Sequence, residues 1–333
     1  MRYSLLAASL AHIALAFPNS QERRAYIKPV VKGTPQVVGI LADSSLNRDS
    51  CGSSLFGDRA LWVCRDTQHY DSDGIPNLPI FTSSASWSDL VTGGGSQLTM
   101  YGDNQDNSFY PLVPGNCDDN QAGICSDGTR YPLWANAPPL VTSSDSSGTT
   151  GYTWISNSHI SGLSDLIPHP SVALYRVSYT TGASGLPKVE LINEAFWAEN
   201  DIPFGTYGGV VQDDVVYIWG QATGGLCESR TRTRCQRRGQ IGSFVWIGQA
   251  SNSVSADFYI TTSPAPEGPW TEPVQFYSGV NGNYSLGAYT LQANPALSLP
   301  DSNEVYLTYT KTDAVGDNVA LYTTPLIRVE WEN

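Results

Sequence analysis

Arg48 and Asp49 stand side by side just ahead of a Ser/Gly-rich run, and Asp66 closes the aromatic run that follows. A carboxylate beside a guanidinium is a working unit for acid–base chemistry. The cation favours the ionised form, burial favours the neutral one, and their balance sets the pKa. Arg48, Asp49 and Asp66 are therefore the candidate catalytic residues. For Arg48–Asp49 the competing reading is a structural ion pair, and for Asp66 a turn-capping carboxylate. Tyr207, Trp197 and Tyr289 lie beside small-residue runs and are candidates for the wall of a substrate pocket. The segment Cys227–Arg238 holds five arginines, at 230, 232, 234, 237 and 238, in a chain with 18 basic and 31 acidic residues. It reads either as a solvated loop that balances nearby carboxylates or as a cationic lid. In the second case Arg230 and Arg232 bind an anionic ligand through forked hydrogen bonds.

Other chemistries lack their residues. The chain has no GxSxG, no HExxH, no phosphate loop and no dinucleotide fingerprint. Asp71-Ser72-Asp73-Gly74 resembles the start of a calcium loop, but no downstream Glu completes it. His69, His159 and His169 are scattered and there is no CxxC, so neither a metal site nor a cofactor is expected. A net charge of −13 suits neither nucleic acid nor an anionic membrane, both polyanions. Small-molecule substrates are the expected partners.

Residues 1–16 combine Arg2, an apolar run and the small-residue pattern Ala14-Leu15-Ala16, the three parts of a secretory signal peptide. The expected location is the secretory pathway, and the mature domain is taken as 25–333, after the Arg23-Arg24 pair. Six cysteines in an oxidising compartment imply local bridges. Cys117 and Cys125 bracket one short loop, and Cys227 and Cys235 another. Cys51 and Cys64 are symmetric about the turn Gly57-Asp58, which sets them opposite each other in an antiparallel hairpin. Asn283-Tyr284-Ser285 is the only glycosylation sequon.

These residues must be positioned by strands. After the signal peptide no helical period persists, and short β-branched or aromatic runs recur between Gly, Pro, Asn and Asp. Residues 48–66 pair a Ser/Gly-rich strand with the aromatic strand ALWVC. Residues 203–221 repeat the layout at an offset of 155, and residues 292–310 at an offset of 244 without a gap. That ungapped alignment matches Asp49 to Phe204 and Ala293, neutral residues at the same position. Further strand pairs follow several copies, giving about four strands per unit. Radial repetition of such sheets is a β-propeller. The expectation is all-β: a single-domain, five-bladed propeller whose last strand, 319–331, meets the first, 36–43. A β-sandwich is the runner-up.

Arg48-Asp49, Leu61-Trp62-Val63, Asp66-Thr67 and Gly268-Pro269-Trp270 resemble segments of secreted five-bladed glycosidases and related polysaccharide-active propellers. The resemblance implies a carboxylate on the first inner strand as base or nucleophile, but no clear partnering Glu stands on a later inner strand. The whole-chain profile is also similar to the secreted hetero-Diels–Alderases of fungal tropolone–sesquiterpenoid biosynthesis. The shared features are a cleavable signal, all-β repeats, paired cysteines, a lone sequon and no standard hydrolytic motif. That resemblance implies dehydration of a hydroxymethyl tropolone to an ortho-quinone methide, followed by intermolecular four-plus-two cycloaddition with a humulene-type sesquiterpene. Holding two reactants together is mainly an entropic service and needs no nucleophile. The cycloaddition enzyme is the first expectation. A glycoside hydrolase or polysaccharide lyase is the second, and a non-catalytic sugar-binding propeller the third.

Overall fold

The computed structural model describes residues 28–90, 97–102, 107–117, 122–212, 214–220, 232–237, 243–249, 254–298 and 302–332. Among them, the single departure from strand, turn and loop is a 3-10 turn at Pro295–Leu297. The chain lays down its sheets in order. The first joins β3 (Gly52–Phe56), β4 (Arg59–Cys64) and β7 (Ser84–Ser88), beside a small sheet of β2 (Leu46–Arg48), β5 (Thr67–Tyr70) and β6 (Pro76–Phe81). The second joins β9 (Leu140–Ser144), β10 (Gly148–Ser156), β13 (Val172–Thr180) and β14 (Lys188–Trp197), with a hairpin of β11 (Ile160–Ser161) and β12 (Ser164–Asp165) emerging from it. The third pairs β15 (Gly209–Gln212) with β16 (Val215–Ile218). The fourth runs β17 (Arg232–Arg237), β18 (Phe244–Gln249), β19 (Asp257–Ser263) and β20 (Val274–Ser278). The fifth runs β21 (Tyr289–Asn294), β22 (Glu304–Val315), β23 (Val319–Glu330), β1 (Gln36–Ala42) and β8 (Gln97–Thr99). The expected meeting of first and last strands is present, as β1 pairs antiparallel with β23.

The leading strands of these sheets touch one another in a cycle: β3 with β9, β9 with β15, β15 with β17, β17 with β21, and β21 with β3. Small residues make this possible. A Cβ on Gly209 would stand 2.8 Å from Leu140 Cδ2 of the neighbouring leading strand. Behind this inner circle, the buried apolar side chains fall into five clusters, each between two successive sheets. Phe56 and Leu61 meet Ile155 and Tyr175 between the first and second sheets. Trp62 and Cys64 meet Tyr306 and Leu326 between the first and fifth. An inner strand of a sheet packed between two other sheets has no wet face, so β18 is buried along its whole length, whereas the outer strand β14 is largely exposed. Trp62 and Trp154 serve this packing, and Trp246 is buried as well.

The ungapped repeat alignment needs correction. Val63 pairs with Gly52, but Leu307, 244 positions on, pairs with Ala293, only 241 positions on from Gly52. The hairpin between β3 and β4 is tight, with Phe56 opposite Arg59, while β21 and β22 are joined through the Pro295–Leu297 turn, with Asn294 opposite Tyr306. The longer connection and a bulge in β21 shift the register: Asp66, which faces Asp49, corresponds to Thr310, and Thr310 pairs with Tyr289, so Asp49 stands level with Tyr289 and not with Ala293.

Candidate active site

Asp49 lies between β2 and β3. Its N–H donates to Asp66 O at 2.9 Å and its carbonyl accepts Arg65 N–H at 2.8 Å, which continues the hairpin to two residues past the Cys51–Cys64 bridge. That bridge is formed, with Cα atoms 4.0 Å apart, and so is Cys117–Cys125. Cys227 lies outside the described residues, and the expected Cys227–Cys235 pairing with it.

Two residues hold non-glycine left-handed backbone here: Ser50 at φ 55° and Thr290 at φ 51°. They face each other, with Ser50 Oγ 2.9 Å from Thr290 Oγ1 and 2.6 Å from Asp49 Oδ1. Ser50 N–H also donates to Thr310 Oγ1 at 3.0 Å. For a β-branched residue such backbone is an outlier, costing about 1–3 kcal/mol, and strain of this kind gathers at functional sites. Its effect is to re-aim the preceding side chains. Tyr289, at the bulged start of β21, hydrogen-bonds Asp49.

Asp49 is 7% exposed, and this burial pushes its pKa up to about 6. The Arg65 guanidinium opposes the rise, as does the hydrogen bond from Ser50, while Asp66 adds to it. The opposing cation expected from the sequence was Arg48. Arg48 instead bonds Asp43, with Nη2 to Oδ2 at 2.7 Å, and donates to Ser84 Oγ at 2.6 Å, both charged side chains being buried. Alternation along the strand explains the split: adjacent residues point to opposite faces, so Arg48 and Asp49 cannot share a partner. Tyr289 and Tyr322 are held far above the ordinary phenol range by burial first and by Asp49 second.

Asp66 is fully engaged. Its Oδ1 accepts from Arg130 Nη2 at 2.8 Å and Trp134 Nε1 at 2.9 Å, and its Oδ2 from Arg130 Nη1 at 3.0 Å. It thereby fixes Trp134 in the wall of a cleft of about 640 Å³. Arg65, Asn136, Ser156, Tyr207 and Tyr289 also line this cleft. Arg65 is buried and donates to Asn136 Oδ1 and the Ala135 carbonyl. Around the mouth stand Asp165, His169, Asn200 and Asp201, together with the apolar Ile202, Val254 and Leu286 and prolines 168, 170 and 203. Asp49 is not on the cleft surface; it sits behind Arg65 and Tyr289.

The structure thus brings Asp49, Tyr289 and Tyr207 to one place and adds Arg65, Trp134 and Asn136, which sequence reasoning missed. Arg65 carried a readable signal. If Cys51 and Cys64 are opposite, then 49 must face 66 across the hairpin and Arg65 must adjoin both. Trp134 lies outside the strands. Trp197 does not line the cleft: its Nε1 donates to Phe204 O at 2.7 Å and its ring packs against Phe196 and Phe204. Arg230 and the side chain of Arg232 lie outside the described residues. Asn283 is exposed, with its Oδ1 accepting Ala314 N–H at 2.7 Å. Among the described residues no group of His, Cys, Asp or Glu is arranged to hold a metal ion, and no helix is long and apolar enough to cross a membrane.

A protein of Bacteroides ovatus ATCC 8483, provisionally assigned as a hydrolase, superposes with a TM-score of 0.55 at 13% identity, over 88% of this chain and 87% of its own. The chain shares that fold. A thermostable family-43 glycoside hydrolase is similar at a TM-score of 0.47 and 12% identity, over 90% of this chain and 96% of its own. An exo-1,5-α-L-arabinanase from a bovine ruminal metagenomic library is similar at 0.46 and 9%, over 87% and 99%. No family model and no curated protein matches in sequence. Likeness at this identity carries the architecture and leaves the chemistry to the site.

Proposed function

We propose that this chain is a secreted, single-domain, five-bladed propeller enzyme of glycoside-hydrolase type, with its active site in the cleft above Asp49. The cyclic contacts of five leading strands and the five inter-sheet clusters support the blade count. The observation that carries the function is Asp49: a buried carboxylate with a pKa of about 6, directly behind the polar floor of the cleft. Such a group can give or take a proton near neutral pH, as cleavage of a glycosidic bond requires. Trp134 and Tyr207 offer faces for a sugar ring, and Asn136, Asn200 and Ser156 offer hydrogen bonds to its hydroxyls. Hydrolysis by two carboxylates needs a second one, and Asp165 and Asp201 stand on the same cleft.

One observation favours a second reading, the hetero-Diels–Alderase. Ile202, Val254 and Leu286 with three prolines make part of the mouth apolar above a floor holding Arg65 and Tyr289. That arrangement suits an oxygen-rich tropolone below and a humulene-type hydrocarbon above, with no nucleophile required. The purified secreted protein decides between them. Release of reducing ends from a polysaccharide and oligosaccharide panel, lost in Asp49→Asn, is the expected result. Inertness there, with accelerated and stereochemically uniform coupling of a tropolone quinone-methide precursor to humulene, would replace the first reading with the second.

A further inference from the structure

We propose that Tyr289 is the group that meets the substrate and that Asp49 acts only through it, the two forming a proton relay to a departing oxygen. The inference rests on the reading that the cleft is an active site where a C–O bond is broken. Asp49 is nearly enclosed and does not line the cleft, whereas Tyr289 both lines it and hydrogen-bonds Asp49. The left-handed residues Ser50 and Thr290 lock the pair from both strands, since each follows one member and their side-chain oxygens lie 2.9 Å apart. A strained backbone on two strands at one contact is what positioning a short relay calls for.

In the forward direction the phenolic proton of Tyr289 passes to the leaving oxygen as the C–O bond breaks, its electron pair staying on that oxygen. The Asp49 proton moves to Tyr289 Oη, and the resulting carboxylate is met by Arg65. Water captures the electron-poor carbon and releases the proton that restores Asp49, so the balance is one water consumed per bond. The groups that face Asp49 bias it in both directions. Arg65, at the end of β4, and Ser50 favour the carboxylate. Asp66 disfavours it, while Arg130 lies beyond, paired with Asp66. Tyr322 of β23 and Tyr289 of β21 complete the surround. Dehydration of a hydroxymethyl group would use the same delivery, because there too a hydroxyl must leave as water.

The test uses the full-length secreted protein and the variants Tyr289→Phe, Asp49→Asn and their combination, each checked for a cooperative unfolding transition with a Tm no lower than that of the wild type. Substrates are paired glycosides of the same sugar, one with a 4-nitrophenyl leaving group that needs no proton and one with an alkyl leaving group that does. A lost relay should slow the alkyl glycoside by about 10²–10⁴-fold and the nitrophenyl glycoside far less. The double variant should be no worse than either single one, and the rate limb near pH 6 should vanish in all three. A Tyr289→Phe enzyme that keeps the wild-type rate and pH limb overturns the relay in favour of direct action by Asp49. Equal loss on both leaving groups also overturns it, because that is a structural effect. A second readout needs no turnover: the Asp49 carboxyl carbon, followed by NMR titration, should move to higher pKa in Tyr289→Phe, since a donor to the carboxylate is gone. No movement overturns the relay whatever the wild type hydrolyses. Movement in a protein inert to every glycoside supports the pair and removes only the hydrolase reading.

Discussion

Asp49 and Arg48 are adjacent in sequence and opposite in consequence. The folded pKa of Asp49 lies above the ordinary carboxylate value of 3.8, at about 6. Between those values the native state holds a proton that the unfolded chain has lost, so stability falls as pH rises through this window. Above it, ionised Asp49 costs on the order of 3 kcal/mol. Asp49→Asn should therefore be as stable as wild type near pH 3.5 and more stable by about 1–3 kcal/mol at pH 8, read from urea midpoints at both pH values. Arg48 answers a different charge. Removing it by Arg48→Met strands Asp43, whose Oδ1 keeps only backbone donors at Ser45 and Leu46. A loss of about 3–5 kcal/mol is expected, with turnover per folded molecule preserved. Lost turnover with intact stability would return Arg48 to the active site.

The element that matters most is the hairpin of β3 and β4. Its tight turn and the Cys51–Cys64 bridge fix the register one pair from Gly52 and Val63. The backbone bonds that seat Asp49 then follow two residues further out. On the proposed function the bridge serves the site as well as the fold. Replacing both cysteines by serine should cost about 3 kcal/mol of stability and also lower turnover, through a looser Asp49. Chemical denaturation beside kcat of the folded fraction checks both; unchanged kcat would confine the bridge to stability.

At the scale of the molecule, among the described residues no sheet has a core of its own. Each apolar cluster is shared by two sheets, so the five-stranded sheet joining both chain regions carries unusual weight. β1 covers the edge of β23, and its Leu41 enters the cluster between that sheet and the first. Deleting residues 36–42 would expose the β23 edge and open this cluster. The expected outcome is a sharply lower Tm and self-association on size-exclusion chromatography; a monomer of native Tm would show that the remaining contacts suffice.

The sequence by itself determined what depends on neighbours along the chain. Gly57-Asp58 between alternating runs set a hairpin, and symmetry about it placed Cys51 against Cys64. Aromatic runs such as ALWVC marked strands, and Asp49, Tyr207 and Tyr289 were legible as candidates for one site. Tertiary structure alone decided which charge answers which. Arg48 and Asp49 part because consecutive side chains in extended backbone point to opposite faces, and what waits on each face is set by how the chain folds back, from Asp43 five residues before Arg48 to Tyr289 on another sheet. Asp43 and Ser84 lie on one, and Arg65 and Tyr289 on the other. Trp134 becomes a cleft wall only because Asp66 holds its indole, a bond between segments 68 residues apart. The register of β21 depended on how long its connection to β22 is, which strand pattern does not encode. A one-dimensional pattern fixes faces and turns; partners across the molecule are set only when the sheets close on one another.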